Sequence, residues 1–295
     1  MKKISGRTES YALLGNPAKH SLSPFIHNYF FRKYNLDAVY LSFEIIPSEF
    51  KTAFFGAWKL GLSGVNLTMP FKEDSIKYID ELDENAKNTG SVNTIKLDRQ
   101  NSKIKGYNSD IPGLAKSLND HGFDFKKSKC LVIGAGGSAR SSVYALLKNQ
   151  AEKIYVYNRN KQKADKIKIL FDKINPGKII VPENFKQVPL EEIKLIVNCT
   201  PIGMEEDNLQ EKPEIPIPSS WNLKNKFVFE MVYEPLITPF VKKAVKDGAE
   251  VIYGTEMLLN QASFSFEIWT GIYPDISYLK KHFKDSIKCS INKLG

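Results

Sequence analysis

One short glycine-rich segment constrains the fold of this chain more than any other feature of its sequence. An apolar run, 130–133, leads directly into Gly134-Ala135-Gly136-Gly137-Ser138-Ala139, and a helix-forming stretch, 138–149, follows. In such a strand, turn and helix, Gly134 allows a tight turn, Gly136 lets a pyrophosphate approach the backbone, and Ala139 lets the helix pack closely on the strand. The free N–H groups at the helix N-terminus attract phosphate. The segment therefore predicts a dinucleotide-binding βαβ unit; a tight turn without a ligand is the alternative.

The residues after the next apolar strand, 154–157, indicate which dinucleotide binds. NAD-binding units usually carry Asp or Glu there to bind the ribose hydroxyls. This chain has Asn158, Arg159 and Asn160 instead, followed shortly by Lys163. A guanidinium can stack on adenine and pair with a 2′-phosphate, which a carboxylate would repel. The sequence therefore favours NADP. A solvated basic loop is the alternative, and it suits Lys161 better than Arg159.

The order of predicted elements divides the chain into two α/β domains. Before residue 108, short β-like runs alternate with helical stretches, which is typical of an α/β layer with a largely parallel sheet. The stretch 111–122 is predicted to be a connecting helix, and the glycine loop then opens a βαβαβ order, which predicts a doubly wound Rossmann domain. We expect a first domain over residues 1–112, the Rossmann domain over 113–255, and two C-terminal helices within 256–295 that pack back on the first domain.

The net charge raises the question of nucleic acid binding. Among 295 residues, 42 Lys and Arg against 33 Asp and Glu give +9, but only five of the cations are arginine. Phosphate readers favour the arginine fork, and the lysines are spread along the chain, so we expect no nucleic acid partner. No apolar run approaches the roughly 18 residues that span a bilayer, so we expect no membrane partner. Three cysteines without a CxxC pair indicate a reducing, cytoplasmic compartment and neither disulfides nor a metal site.

Polar side chains follow several strands of the first domain. The loop 16–24 offers the paired hydroxyls of Ser21 and Ser23 to a carboxylate or polyol, although Ser23 can instead cap the helix that follows. Further amides, hydroxyls and one carboxylate lie at other strand ends: Asn66, Thr68, Asn93, Thr94, Asn108, Ser109 and Asp110. Such groups suit a polyhydroxylated ligand. Lys72, held by Asp110, is a candidate proton donor to the alkoxide that forms when a carbonyl accepts hydride.

Taken together, these motifs resemble those of the shikimate dehydrogenase family nearly end to end. The segment from Asn66 to Lys72 is similar to the family's N-x-T-x-P-x-K catalytic motif, and the segment from Gly106 to Asp110 is similar to its G-x-N-T-D motif. The serine loop resembles the family's substrate-carboxylate loop. Further segments match in the same order: 90–94, 134–139, 158–159, 198–204, 231–235, 238–239 and 254–262.

The resemblance implies a fold, a reaction and a set of site residues. The fold would be an N-terminal α/β substrate domain plus a Rossmann NADP-binding domain, and the reaction would be the reversible NADPH-dependent reduction of 3-dehydroshikimate to shikimate, on the route to chorismate and aromatic amino acids. Lys72 and Asp110 would form the catalytic pair. Shikimate would be held by Ser21, Ser23, Thr68, Lys72, Asn93, Asp110, Tyr233 and Gln261. NADP would contact Gly134, Ala135, Gly136, Gly137, Ser138, Asn158, Arg159, Asn160, Lys163, Met231 and Gly254, with Glu84 a weaker candidate.

Two other interpretations compete with this one. A quinate/shikimate dehydrogenase that uses NAD would carry acidic residues near position 159, and this sequence has none; Ser23 also favours shikimate, since quinate-using relatives tend to have Thr there. A catalytically idle NADP- or shikimate-binding regulator would most naturally lose Lys72 or Asp110, and both are present. Asn160 replaces the family's Thr, so one hydroxyl contact to the 2′-phosphate is replaced or lost. Whether the protein is a monomer or a homodimer stays open.

Overall fold

The chain folds into two α/β units, each with its own six-stranded sheet. The computed structural model describes residues 4–204 and 214–292. The first unit contains the residues up to Ile111 together with Gln261–Ile276, and the second contains Pro112–Asn260 and the residues from Ser277 on. Within the described residues, no helix combines the length and the apolar composition that crossing a membrane requires.

The first unit is built on a mixed sheet with the strand order β2-β1-β3-β5-β6-β4. Its strands are β1 (Glu9–Gly15), β2 (Ala38–Glu44), β3 (Gly64–Leu67), β4 (Glu81–Leu82), β5 (Thr94–Asp98) and β6 (Lys103–Tyr107), and its helices include α1 (Ser23–Lys33), α2 (Phe50–Lys59), α3 (Phe71–Asp74) and α4 (Glu84–Thr89). β1 runs parallel to β2 and β3, whereas β5 is antiparallel to β3 and β6. The sheet is therefore less parallel than predicted, because the short turn between β5 and β6 permits only a hairpin.

The second unit has the strand order β12-β11-β10-β7-β8-β9, with every neighbouring pair parallel. Its strands are β7 (Lys129–Ile133), β8 (Lys153–Tyr157), β9 (Ile179–Ile180), β10 (Ile193–Asn198), β11 (Phe227–Glu230) and β12 (Glu250–Ile252). The remaining helices are α5 (Asp110–Asp120), α6 (Gly137–Lys148), α7 (Lys161–Asp172), α8 (Pro239–Asp247), α9 (Gly254–Thr270) and α10 (Ser277–Asn292). Counted from β7, the order is that of a doubly wound Rossmann sheet, which places dinucleotides where β7 and β10 adjoin. The predicted fold class is confirmed.

Two features of the fold depart from the expectations. Helix α8 is not among the predicted elements, although Thr238 caps it by accepting a hydrogen bond from the Val241 N–H and Pro239 follows the cap. The last helix, α10, falls in the second unit rather than with the first domain. Its Lys280 forms a salt bridge with Asp120 at the end of α5, 2.5 Å between Nζ and Oδ2, which gives a polar anchor within the second unit.

His121, directly after α5, connects three elements of the second unit. Its Nδ1 lies 2.7 Å from Glu250 Oε1 in β12, and its Nε2 lies 3.0 Å from Glu256 Oε2 in α9. The hydrogen bond with Glu256 is the main cause that raises the pKa of His121 from 6.5 to about 9; Glu250 adds to it, while burial opposes it. The imidazolium is therefore the form that the folded protein favours at neutral pH.

This cluster predicts that one contribution to stability disappears at alkaline pH. Because the folded-state pKa lies above the unfolded value, the contribution is complete below pH 6.5 and is lost as the pH rises through about 9. We expect it to be of the order of 1 kcal/mol, since solvent at the exposed Glu250 screens part of it. Urea unfolding of the wild type and His121→Gln across this range should give free energies of unfolding that converge above about pH 9. A difference that stays constant with pH would contradict the assignment.

Candidate active site and cofactor site

The serine loop follows β1 and is tied to the end of β2. The Ala18 N–H donates to Glu44 Oε2 at 3.2 Å, and the Ser42 hydroxyl donates to the Ala18 carbonyl at 2.8 Å. The Ser21 hydroxyl accepts from the Ser23 N–H at 3.2 Å. These bonds hold the loop that carries both predicted carboxylate ligands.

Ser23 does not cap the helix that follows the loop. α1 begins at Ser23 itself, its N-cap is Leu22, and no side chain caps this end. The alternative that Ser23 serves as a cap is therefore wrong: the residue is already helical, so its hydroxyl does not turn back to the first N–H groups of the helix. Its hydroxyl therefore makes no capping hydrogen bond to α1, and the residue is only 6% exposed.

Gly15, the last residue of β1, lies against Thr68. A Cβ built on Gly15 would come within 2.2 Å of Thr68 Cγ2. The backbone of Thr68 is fixed, since its N–H donates to the Leu14 carbonyl at 3.1 Å and its carbonyl accepts from the Phe71 N–H at 2.9 Å. Only glycine at position 15 therefore leaves the Thr68 side chain where the structure has it.

Lys72 and Asp110 form a close ion pair in the first unit. Lys72 Nζ lies 2.7 Å from Asp110 Oδ2, and the two side chains are only 16% and 9% exposed. The Lys72 carbonyl accepts from the Val92 N–H at 2.8 Å, which fixes α3 beside the segment that leads into β5. The structure thus brings together the two residues predicted to do the chemistry and shields both from solvent.

Asn93 holds the other oxygen of that carboxylate. Its Nδ2 donates to Asp110 Oδ1 at 2.7 Å and to Ser109 Oγ at 2.9 Å, while its Oδ1 accepts from the Ser109 N–H at 2.8 Å. Both amide hydrogens are therefore engaged within the protein. The direct contact between Asn93 and shikimate stays a prediction, and the structure adds that this amide orients Asp110.

Behind the ion pair lies a buried polar cluster that the sequence analysis did not identify as a unit. Asn66 Nδ2 donates to the Asn93 carbonyl at 2.9 Å, and Asn66 Oδ1 accepts from the Tyr40 hydroxyl at 2.8 Å. Ser265, in α9, joins this cluster through Asn66, Thr94 and Ser109. Gln261, one turn earlier in α9, lies beside it, with its Oε1 3.4 Å from Ser109 Oγ. The only sequence signal for Ser265 is its i+4 spacing from Gln261.

The glycine loop has the conformation that the sequence predicted. Gly134 has φ +116°, and a Cβ there would lie 3.0 Å from the Cys199 carbonyl oxygen after β10. Gly136 is the N-cap of α6, and a Cβ there would meet no atom within 4 Å. Ala139 is fully buried against the sheet. The loop therefore leaves open space beside the first N–H groups of α6, which is where a pyrophosphate would lie.

Next to the loop, a cavity of about 400 Å³ is lined by residues from the ends of β7, β8 and β10. Gly134, Asn158, Arg159 and Thr200 are among them. Arg159 is exposed, and Asn158 Nδ2 donates to the Asn160 carbonyl at 2.8 Å. Lys161 is paired with Asp165 at 3.0 Å and with Glu183 at 3.6 Å, whereas Lys163 is exposed. Glu214 also lines this cavity, but the residues that directly follow β8 include no carboxylate and place Arg159 there, so this end of the cavity fits a nucleotide with an extra phosphate.

Met231 lies in a segment whose backbone is held by hydrogen bonds to Glu230 and packed closely by Gly254. Glu230 is almost completely buried; its Oε1 accepts from the Val232 N–H at 3.1 Å and its Oε2 from the Thr238 hydroxyl at 2.9 Å. Burial raises the pKa of Glu230 to about 7. A Cβ on Gly254 would lie 2.4 Å from the Val232 carbonyl oxygen, so Gly254 allows α9 to start directly against this segment. The structure thus gives Gly254 a packing role that the sequence analysis did not give.

Two predicted site residues, Glu84 and Tyr233, belong to a different unit from the other residues predicted to bind the same ligand. Glu84, an exposed residue that begins α4, belongs to the first unit, whereas the other predicted cofactor residues belong to the second. Tyr233 belongs to the second unit, whereas the other predicted shikimate ligands belong to the first. Both assignments stay predictions. Within residues 4–204 and 214–292, no group of three or more His, Cys, Asp and Glu is arranged to hold a metal ion.

Three family models match the chain in sequence order. The model of the shikimate dehydrogenase substrate binding domain matches residues 13–95, that of shikimate / quinate 5-dehydrogenase matches 114–201, and that of the shikimate 5′-dehydrogenase C-terminal domain matches 254–282. A relative from Aquifex aeolicus, named shikimate dehydrogenase (NADP(+)), is 37% identical over 284 residues, which cover 96% of this chain and 98% of the relative.

Solved structures agree with these matches. Shikimate 5-dehydrogenase from Listeria monocytogenes, in complex with shikimate and NAD, has a TM-score of 0.84 at 30% identity and covers 95% of this chain and 98% of its own. Shikimate 5-dehydrogenase from Thermus thermophilus, in complex with NADP(H) and shikimate, has a TM-score of 0.80 at 30% identity and covers 94% and 99%. The glycine loop, the Lys72–Asp110 pair and these similarities along nearly the whole chain lead to one conclusion: the chain belongs to the shikimate dehydrogenase family, as its motifs predicted.

Proposed function

We propose that this protein catalyses the reversible reduction of 3-dehydroshikimate to shikimate with NADPH. The observation that carries the proposal is the shielded Lys72–Asp110 pair, 2.7 Å between Nζ and Oδ2, in a chain of this family. The Thermus relative binds both NADP(H) and shikimate, and the Aquifex relative carries NADP(+) in its name. The same reaction places the protein on the route to aromatic amino acids. We also propose a cytoplasmic location, because free cysteines, one of them buried in β7, suit a reducing compartment.

The chain's own residues supply the proton of this reaction. NADPH, when bound, would supply the hydride for the carbonyl carbon. As the carbonyl oxygen gains negative charge, Lys72 Nζ gives it a proton, so the product is an alcohol; in the reverse direction, neutral Lys72 takes the proton back. Asp110 accepts a hydrogen bond from Nζ and keeps the ammonium directed at the reacting oxygen. Because the carboxylate is also held by Asn93, its orientation is fixed before substrate arrives.

The remaining predicted ligands bind and orient the substrate. The hydroxyls of Ser21 and Ser23 donate hydrogen bonds to the substrate carboxylate, and Thr68 and Gln261 hold ring hydroxyls. Hydrogen bonds to a carboxylate are charge-assisted and stronger than those between neutral groups. Ser23 serves this role because α1 makes no use of its hydroxyl as a cap.

A steady-state assay of the purified protein tests the proposal. We expect shikimate with NADP to give the highest kcat/KM, ahead of shikimate with NAD and of quinate with either cofactor. Equal rates with NADP and NAD would contradict the cofactor assignment. The comparison is informative because the Listeria relative was solved in complex with NAD. A preference for quinate would favour the quinate/shikimate dehydrogenase, and a protein that binds NADP or shikimate without turnover would favour the regulator.

Arg159→Gln should raise the KM for NADP about tenfold and leave the KM for NAD nearly unchanged, because a charge-assisted contact with the 2′-phosphate is worth about 1.5–3 kcal/mol. Lys161→Gln is the matched control. Its ammonium is two residues away but already paired with Asp165 and Glu183, so we expect little effect on either KM. If both variants weaken NADP equally, general positive charge rather than Arg159 selects the cofactor.

A further inference from the structure

Ser265 has a fully buried hydroxyl at the centre of the polar cluster in the first unit. Its Oγ lies 2.7 Å from Thr94 Oγ1, 3.0 Å from Ser109 Oγ and 3.2 Å from Asn66 Nδ2. It lies also 3.1 Å from the main-chain carbonyl of Gln261, one turn earlier in α9. A serine oxygen with four polar neighbours is more than a hydroxyl that bonds back to its own helix.

The number of available hydrogens sets the direction of these bonds. Ser265 has one hydroxyl hydrogen, and a carbonyl can only accept, so the bond to Gln261 uses that hydrogen. The two lone pairs of Ser265 Oγ then accept from its two nearest hydroxyls, those of Thr94 at 2.7 Å and Ser109 at 3.0 Å. The two amide hydrogens of Asn66 go to their nearer acceptors, the Asn93 carbonyl and Thr94 Oγ1. The hydrogen of Ser109 thereby points towards Ser265, which turns a lone pair of Ser109 Oγ to Asn93 Nδ2, 2.9 Å away.

A continuous set of hydrogen bonds leads from this hydroxyl to the reacting pair. Asn93 uses its second amide hydrogen for Asp110 Oδ1 at 2.7 Å, and Asp110 Oδ2 lies 2.7 Å from Lys72 Nζ. Without Ser265, the hydroxyls of Ser109 and Thr94 would turn to Asn93 Oδ1, which lies 3.2 Å and 3.1 Å from them. Ser109 would then no longer hold the amide hydrogen that fixes the Asn93 side chain, and Asp110 would lose a fixed partner.

We propose that Ser265 is a positioning residue: by setting the direction of the Ser109 hydroxyl, it orients Asn93 and through it the Asp110 carboxylate that holds Lys72. The expected effect on kcat rests on the proposed function. The orientation of Lys72 does not, because it can be observed in the protein without substrate. Ser265 touches neither member of the ion pair, so it acts through Ser109 and Asn93.

The test compares Ser265→Ala with Ser117→Ala. Ser117 is the matched control, since it is also a buried helical serine that bonds back one turn, to the Gly113 carbonyl at 2.9 Å, and accepts one side-chain hydrogen bond, from Asn260 at 2.8 Å. We expect Ser265→Ala to lower kcat about tenfold and to change the pH profile of kcat, with the KM for NADP within about twofold of wild type. Ser117→Ala should change stability but neither the profile nor kcat by more than about twofold.

A second readout does not depend on turnover. The ¹⁵N signal of the Lys72 ammonium, assigned by its loss in Lys72→Arg, should show hydrogen exchange about tenfold faster in Ser265→Ala than in wild type, and unchanged exchange in Ser117→Ala. If Ser265→Ala does not fold, Ser265→Cys keeps a polar hydrogen on a slightly larger, weakly hydrogen-bonding atom, and the same changes are expected at smaller size.

The outcomes separate the two proposals. The positioning role would be overturned if Ser265→Ala had the same kcat, pH profile and Lys72 hydrogen exchange as the wild type. It would also be overturned if Ser117→Ala changed these three properties equally. If the wild type shows no shikimate turnover with either cofactor, the proposed function fails, and the exchange measurement alone decides on Ser265.

Discussion

Lys72→Ala is expected to lower kcat for shikimate oxidation by about 10² or more while the KM for shikimate changes little. The physical reason is that Lys72, whose Nζ lies 2.7 Å from Asp110 Oδ2, is the proposed proton donor, whereas most of the predicted substrate contacts come from other side chains. Loss of an interaction that matters in the transition state lowers kcat, and loss of uniform binding would raise KM instead. Steady-state kinetics with shikimate and NADP, both varied, measures the two effects separately.

Two controls make this result interpretable. Removing Lys72 leaves the Asp110 carboxylate with little solvent and without its cation, which destabilises the fold, so the urea midpoint of each variant has to be measured beside its rate. Lys77→Ala removes a lysine of the next helical turn that is 60% exposed and should leave kcat within about twofold. An unchanged kcat with a raised KM in Lys72→Ala would make Lys72 a binding residue only and would remove the central support of the proposed mechanism.

The sequence predicted those parts of the molecule that depend on local chain geometry. The turn after β7 requires glycine at 134 because φ is positive there, and the next strand end carries Arg159 where an acid would bind ribose. Each of these signals lies within a few residues of the feature it determines. The Lys72–Asp110 pair could be predicted across a longer distance, because each residue follows shortly after a strand, β3 or β6, and strand ends on one edge of a sheet lie near one another.

What could not be predicted depends on contacts between distant parts of the chain. Ser265 meets Thr94 and Ser109 across more than 150 residues, and no periodicity links them. The role of Asn93 as a support of Asp110 became visible only when both of its amide hydrogens were seen to be engaged. The assignment of α10 to the second unit, with its salt bridge to Asp120, is of the same kind, since an amphipathic helix does not specify which surface it covers.

Gly15→Ala should impair both stability and catalysis, and the structure names the single methyl group that is responsible. The new Cβ would lie 2.2 Å from Thr68 Cγ2, against 3.4 Å to the next nearest atoms, so Thr68 has to move by about 1 Å or more. Threonine is β-branched and its backbone is hydrogen-bonded on both sides, so the side chain has to rotate and carry its hydroxyl away. We expect a loss of about 2 kcal/mol in the free energy of unfolding and about 10² in kcat/KM for shikimate.

Thr68→Ser tests this cause directly because it removes only the methyl group that collides and keeps the hydroxyl. Alone, it should lower kcat/KM by less than about fivefold, whereas in Gly15→Ala/Thr68→Ser the urea midpoint and kcat/KM should recover most of what Gly15→Ala loses. Such a recovery in the double variant would show that Gly15→Ala is harmful because the new methyl group collides with Thr68, and not because position 15 loses backbone freedom. Failure of the serine to rescue would show that the space beside Gly15 serves the substrate itself, and near-wild-type behaviour of Gly15→Ala would show that Thr68 does not have to remain where it is.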